Sequence, residues 1–478
     1  MNRRGAEGTR QRTRKPGELT QSTQRIRSTQ RNPLEFLSSV YPVRPVSSML
    51  NPSPRLGVSR TLLDAPEPAP YDAPMDETSE AATIPALHGI RVLEMGTLIA
   101  GPFAARLLGD FGAEIIKIEP PGHGDPHREW GAMTDKGALW FPIQARNKRS
   151  VTIDLRKPEG QALVRRLARE CDVLIENFRP GSLEKWGIGP DVLMEENPRL
   201  VMVRISGFGQ TGPYRERPGF GNIAEAMGGI RYITGFPDCP PVRVGMSLAD
   251  HVASLYAVIG ALTALQSRQV TGRGQVVDVA LTEGIFSLLQ DALPQFKTLG
   301  VVQERTGNEL FKTAPSNVYQ TRDGVWMAIS GNNNSIFVRL MDAIGRPDLH
   351  EDPRLRTNPG RAEHARMLDD VIAAWAGERT AAEVSRILEA AGVPFGPVYN
   401  IADITSDPQY QAREMILDVP HPVFGSIAMP GIVPKLSETP GEVKWPAPPL
   451  GADTDDVLRR LGGIDDAELD RLRAEGVI

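Results

Sequence analysis

One acidic residue, Asp250, stands at the mouth of a long run of small and apolar residues in VGMSLADHVASLYAVIGALTALQ (244–266). Aspartate is a favoured helix cap, because its carboxylate accepts from the unpaired N–H groups of a first turn. On these residues alone Asp250 reads as an N-cap of the apolar helix that follows. His251 beside it is no partner for a dyad, since residues i and i+1 do not share a helix face.

Two further stretches carry chemical types. GFGQTG (207–212) has the spacing of a dinucleotide fingerprint, but such a motif needs a helix to begin there so that its N–H groups meet a pyrophosphate. Pro213 and Pro218 follow and prevent a regular helix, so a nicotinamide or flavin site is disfavoured and the glycines shape a loop over a ligand. Arg146, Lys148, Arg149, Arg156 and Lys157 cluster in QARNKRSVTIDLRK, and ENFRPGSLEKWG adds Arg179 and Lys185. Cations at the ends of adjacent parallel strands can hold a phosphorylated ligand, whereas composition alone favours a solvated rim. No GxxxxGK[ST] is present, which disfavours a P-loop kinase. Cys171 and Cys239 lie in no CxxC or Cys/His cluster, so neither a metal site nor a disulfide framework is expected.

The elements that must position these residues follow an alternating pattern. IRVLEM, AEIIKIE, SVTIDL, DVLIEN and LVMVRIS read as buried strands, with helices GPFAARLLGDFG, PEGQALVRRLARE and GPDVLMEEN between them. This predicts an α/β fold with a Rossmann-like, mainly parallel large domain over 83–304. From about Thr313 the pattern changes: NVYQTRDGVWMAIS predicts two strands about a turn at Asp323-Gly324, and helices SIFVRLMDAIG, ARMLDDVIAAWAGE and TAAEVSRILEAAG follow. A smaller α+β domain is expected over 305–425, and residues 426–478, ending in helices TDDVLRRLGG and DDAELDRLRAEG, are expected to return to the large domain.

At 478 residues, with 54 basic against 59 acidic side chains, the chain is long enough for a substantial core and too balanced in charge to argue for a nucleic-acid or membrane-surface partner. The most apolar long window, Val252–Leu265, is shorter than the roughly 18 apolar residues of a spanning helix. Residues 1–60 are Arg-rich and 61–85 acidic, a composition that cannot support a packed core, so 1–82 is expected to be a disordered N-terminal extension. A cytoplasmic location is expected, with the mitochondrial matrix as the alternative if the Arg-rich start is a transit peptide.

Taken in order, GIRVLEMGTLIAGPFAARLLGDFGAEIIKIEPPGHGD, NKRSVTIDL, ENFRPGSLEKWG, RISGFGQTGPY, the Asp250 stretch with TGRGQVVDVALTEG, and GVPFGPVYN resemble the family III CoA-transferases, which include formyl-CoA transferase and carnitine CoA-transferase. The resemblance runs from about Leu87 to the C-terminus. It implies a ring-shaped subunit in an interlocked homodimer, acyl-CoA and carboxylic acid substrates, and no cofactor, the CoA thioester being a substrate. It implies that Asp250 is a nucleophile that forms mixed-anhydride and aspartyl-CoA thioester intermediates. An aspartate of reference pKa about 3.9 at a helix N-terminus would serve without a general base.

The resemblance also assigns CoA contacts to the loop at Thr97, Leu98 and Ile99, to Arg156, to Asn177 and Phe178, and to Lys185. Three departures stand out. Pro120 occupies the place of an arginine in formyl-CoA transferase, Gly221 that of the acid near its nucleophile, and Phe220-Gly221 that of the His-Asp pair of the related α-methylacyl-CoA racemases. The last disfavours a racemase, which together with a non-catalytic CoA-binding protein is the alternative function. GNNNSIF (331–337) falls where family transferases have a glycine-rich lid, and is otherwise an ordinary strand-to-helix loop. GFGNIAEAMGGIRYITGFPDCPPVRVG most resembles members that move CoA from succinyl-CoA to malate, citramalate or glutarate; Arg243 or Arg217 is then either the cation for the second carboxylate or a structural surface arginine.

Overall fold

Short runs rich in valine and isoleucine build one parallel sheet in the computed structural model, which describes residues 84–478. Its strands are β1 (Arg91–Glu94), β2 (Glu114–Glu119), β3 (Lys148–Thr152), β4 (Val173–Glu176), β5 (Val201–Ser206) and β6 (Val276–Ala280). Every residue of β4 and β5 is buried, as expected where helices cover both faces of a parallel sheet. The spatial order is β3-β2-β1-β4-β5-β6, with each neighbouring pair parallel. This is the doubly wound order, and it reverses direction between β1 and β4. The predicted disorder of residues 1–82 lies outside the described residues.

Strand alternation sends successive side chains to two separate cores. Val92, Ile115, Val173 and Val203 meet α1 (Ala100–Gly109) and the long helix α5 (Leu248–Thr271) on one face. On the other, Leu93, Ile116, Leu174 and Met202 meet α2 (Pro158–Arg169) and α3 (Pro190–Glu196). The chain's last two helices, Thr454–Arg460 and Asp466–Ala474, add Val457, Leu458, Leu469 and Leu472 to this second core. Asp453 and Thr454 also accept from the backbone of β3, at Ser150 and Thr152.

The sequence motif TGRGQVVDVALTEG hides β6, which pattern alone does not reveal. As an edge strand it leaves Val276 exposed and carries Asp278, whose carboxylate accepts from Gln210 N at the end of the GFGQTG loop. No helix opens in that loop; the next one, α4 (Gly221–Met227), starts after Pro218, as the prolines predict.

A second, antiparallel sheet joins Ser316–Gln320, Trp326–Ser330 and Phe395–Pro397, with the first two linked by the Asp323-Gly324 turn. Helices Asn334–Ala343, Ala365–Gly377 and Ala381–Ala390 enclose its own core around Met327, Ile329, Phe337 and Leu340. A hairpin, Ile416–His421 with Gly425–Pro430, spans residue 425, the expected end of the smaller domain.

By length and composition α5 could cross a membrane, because its 24 residues extend beyond the apolar window on both sides. Its alanines 249, 253, 257, 261 and 264 are buried in the first core.

Candidate active site

In an open α/β sheet the ligand crevice lies beyond the carboxyl ends of the strands, at the loops on either side of the reversal. Here those loops are Met95–Ile99 after β1 and Asn177–Phe178 after β4. They are tied reciprocally: Thr97 N donates to Asn177 Oδ1 at 2.8 Å, and Asn177 Nδ2 donates to Thr97 O at 2.9 Å. Leu98 sits in the left-handed region at φ 64°, where a bulky side chain is strained. That strain is held by its neighbours. Asp125 accepts from Leu98 N at 3.0 Å, Lys117 Nζ donates to Gly96 O at 3.1 Å, and Gln144 Nε2 to Ile99 O at 3.1 Å.

Beneath the loop lies a buried ion cluster. Lys117 pairs with Glu94 and Asp125 at 2.8 and 2.7 Å, while Lys148 pairs with Glu94 at 2.7 Å and donates to Pro102 O in the first turn of α1. Burial, followed by the pull of Glu94, sets the Lys148 ammonium, which is pushed down to about 8. This corrects the expectation for the basic stretch: Lys148 is internal, and so is Arg146, bonded to Asp110 at 2.9 and 2.7 Å. They are neither phosphate ligands nor a solvated rim.

Phe178 is fixed by a second brace. Its N–H donates to Glu176 Oε2 at 2.7 Å, its ring meets Trp186 edge-on at 5.2 Å, and Arg204 bridges Glu176 and Glu184. Burial pushes the Glu176 carboxyl up to about 7 against the pull of Arg204. Lys185 is exposed at the end of the short helical turn Ser182–Lys185. Leu98, Ile99, Asn177, Phe178 and Lys185 thus belong to the two crevice loops and the turn that follows. Arg156 lies farther along the sheet. It follows the edge strand β3, two strands or about 10 Å from β1, and its mostly exposed guanidinium bonds Asp154 at 2.9 Å.

Asp250 reaches the crevice through α5. Ser254, one turn on, donates to Ala100 O, the first residue of α1, at 2.7 Å. The cap of α5 is Ser247, so Asp250 lies in the first turn and the capping expectation is corrected by three residues. Across from it, the first residue of α4 is Gly221, where an added Cβ would stand 2.1 Å from Asp250 Oδ2. His251 turns away: its Nδ1 bonds Ser247 O at 2.7 Å and its ring meets Phe103 at 4.7 Å.

Another carboxylate stands one turn after Gly221 on the same face of α4. Glu225 is fully buried and contacts Arg243 at 3.2 Å and Arg231 at 3.5 Å. Nothing in the sequence marks it, because a lone glutamate in a helix normally faces water. Burial first, then the charge of Glu225, push the Asp250 carboxyl from 3.8 to about 6, with Arg243 opposing. The helix end therefore does not set its acidity, although at neutral pH it is still mainly ionised.

A stability effect follows from that shift. Because the folded-state value lies above the unfolded one, folding is favoured most when Asp250 is protonated, and this contribution is lost as pH rises from about 4 through about 6. Above that, the ionised carboxylate costs at most about 3 kcal/mol, less with solvent screening. Asp250→Asn is expected to raise Tm at pH 7.5 and to lose that gain near pH 4. A Tm lowered at pH 7.5 would mean that burial is not the dominant influence.

For the crevice loops, Asn177→Ala removes both ties to Thr97. Steady-state kinetics should show KM for an acyl-CoA rising about tenfold, the cost of one to two hydrogen bonds, with kcat changed less.

The GNNNSIF stretch is engaged in local contacts. Asn333 caps helix Asn334–Ala343, and Arg361 donates to Asn332 O and Asn334 Oδ1.

A part-buried carboxylate that accepts no hydrogen bond from another residue among the described residues, set beside a switch-point crevice, can attack an activated acyl carbon. Comparison with known proteins agrees with that chemistry. The model of CoA-transferase family III matches residues 87–454. A succinyl-CoA–D-citramalate CoA-transferase of Chloroflexus aurantiacus is 51% identical over 82% of this chain and 98% of its own. The β subunit of a succinyl-CoA–L-malate CoA-transferase from the same organism is 43% identical over 84% and 100%. Among solved structures, a CAIB/BAIF family protein from Brucella suis superposes with a TM-score of 0.70 at 34% identity, covering 79% of this chain and 99% of that one. The chain belongs to CoA-transferase family III.

Proposed function

We propose that the protein moves CoA from succinyl-CoA to a dicarboxylic acid such as citramalate, malate or glutarate, with Asp250 as nucleophile. The observation that carries this is the Asp250 carboxylate, packed on Gly221 and joined through Ser254 to the start of α1 at the crevice. The names of similar proteins support the substrates. They include the two above and a succinyl-CoA:glutarate CoA-transferase of Mus musculus, 32% identical over 84% of this chain and 92% of its own.

The ionised carboxylate attacks the thioester carbonyl, the C–S bond breaks, and CoA leaves as thiolate, giving a succinyl–aspartyl anhydride. The thiolate then attacks the aspartyl carbonyl, releasing succinate and forming aspartyl-CoA. The acceptor carboxylate displaces CoA to give a second anhydride, and the thiolate takes the acceptor's acyl group, restoring Asp250. Every intermediate is hydrolysable, so the half-buried setting of Asp250 serves to exclude water. Arg243, part-exposed, paired with Glu225 and close enough to Asp250 to oppose the rise in its pKa, is the cation for the acceptor's distal carboxylate. Arg217 instead stacks on Tyr214 at 3.7 Å.

Incubation with succinyl-CoA and a panel of carboxylic acids, read by mass, should yield the CoA ester of a dicarboxylate. Absence of any new ester across the panel would overturn the assignment. A racemase would instead exchange the α-proton of an acyl-CoA for deuterium. Phe220 and Gly221 hold no group for that transfer.

We also propose a homodimer. Leu255, Ile259, Leu262 and Val270 are exposed along α5, and Leu293, Phe296 and Leu299 along helix Ala292–Leu299, apolar surface that a second copy would cover. Light scattering should report a dimer; a monomer at micromolar concentration would contradict this. The unpaired Cys171 and Cys239 suit a reducing compartment such as the cytoplasm.

A further inference from the structure

Glu225 is more deeply buried than its role as partner to two arginines requires. Its side chain is 1% exposed; Oε2 serves Arg243 Nε at 3.2 Å and Arg231 Nη2 at 3.5 Å. The other oxygen, Oε1, is buried and accepts no hydrogen bond among the described residues. Arg231 Nε is likewise buried without a hydrogen-bond partner. An unmatched carboxylate oxygen and an unmatched guanidinium N–H therefore belong to one ion pair. Leaving such groups unpaired is costly, so the pair is poised for a group that both donates and accepts.

Its location relates it to the acceptor. Glu225 lies four residues after Gly221 on α4, on the same face, and Gly221 abuts the Asp250 carboxylate. Arg243, the cation for a distal carboxylate, is already bonded to Glu225. At neutral pH a dicarboxylate has no donor of its own on its carboxylates. A hydroxyl on the adjoining carbon does donate, and it accepts as well.

We propose that Glu225, with Arg231, is the specificity-determining pair that reads the hydroxyl of a hydroxylated dicarboxylate acceptor. The hydroxyl donates a hydrogen bond to Glu225 Oε1 and accepts one from Arg231 Nε. The proposal rests on CoA transfer to a dicarboxylate and narrows the acceptor to the 2-hydroxy acids.

Citramalate and 2-methylsuccinate differ only by that hydroxyl. With succinyl-CoA as donor, the wild-type protein should show kcat/KM at least about tenfold higher for one enantiomer of citramalate than for either enantiomer of 2-methylsuccinate. Glu225→Gln tests the residue. The arginines draw the amide oxygen, which leaves NH2 at the place of Oε1, a donor where an acceptor is needed. The citramalate-to-methylsuccinate ratio should then fall about tenfold or more, a change that a purely structural role would not produce. Equal use of both acids by the wild type, a comparison that needs no variant, would overturn the proposal and leave the transferase intact. So would an unchanged ratio in Glu225→Gln. Transfer to no carboxylate at all would overturn the underlying function instead.

Discussion

Asp250→Ala is expected to abolish CoA exchange, lowering kcat by at least about 10⁴-fold, while acyl-CoA still binds. The size of the loss follows from the chemistry. Both anhydrides and the aspartyl thioester are built on this one carboxylate, so its removal leaves only a direct exchange between two substrates. Binding should persist because the switch-point loops are held by Asn177, Asp125, Lys117 and Gln144, none of which relies on Asp250. Exchange assays and calorimetry with CoA separate the two effects. Exchange at the wild-type rate would mean that another group, or none, carries the acyl transfer.

Gly221→Ala is expected to be nearly as informative, although it adds one methyl group outside the reacting atoms. Gly221 is not among the residues with positive φ, so its backbone does not require glycine. What requires it is space: the new Cβ would stand 2.1 Å from Oδ2 and 2.9 Å from Cγ of Asp250. Either the carboxylate or the start of α4 must move by an ångström or more. Misplacing a reacting group by that much typically costs about 10²-fold in rate. Gly→Ala in a first helical turn otherwise favours the helix by up to about 1 kcal/mol. A kcat reduced about 100-fold with Tm changed little is therefore expected. Unchanged kcat would show that the carboxylate has room to spare.

The fold was legible where burial imposes pattern. Strands such as VLIE and VMVRIS are buried on both faces and read as mainly apolar runs, and the helices between them carry Pro102, Pro158 and Pro190 near their starts. β6 was missed because an edge strand with Asp278 in its middle lacks that pattern. For the site, the ordered motifs led to Asp250 and to the loops of Leu98, Ile99, Asn177 and Phe178. They could not show what those loops rest on. The Lys117–Glu94–Lys148 cluster is assembled from β1, β2 and β3, and charged residues inside strands read as surface until their partners are known. Glu225 escaped for the same reason, since nothing local marks a glutamate as buried. The acidity of Asp250 likewise depends on burial and on Glu225 from another helix, whereas its sequence position suggested only the helix end.

The most direct test is to trap the intermediate. The protein is incubated with succinyl-CoA and then with hydroxylamine, and its peptides are mapped by mass. An aspartyl-CoA thioester or anhydride predicts a hydroxamate on Asp250, formed only when succinyl-CoA is present and diminished when an excess of the acceptor acid is added before the hydroxylamine. Hydroxamate on a different residue, or steady exchange with Asp250 unmodified throughout, would contradict the account.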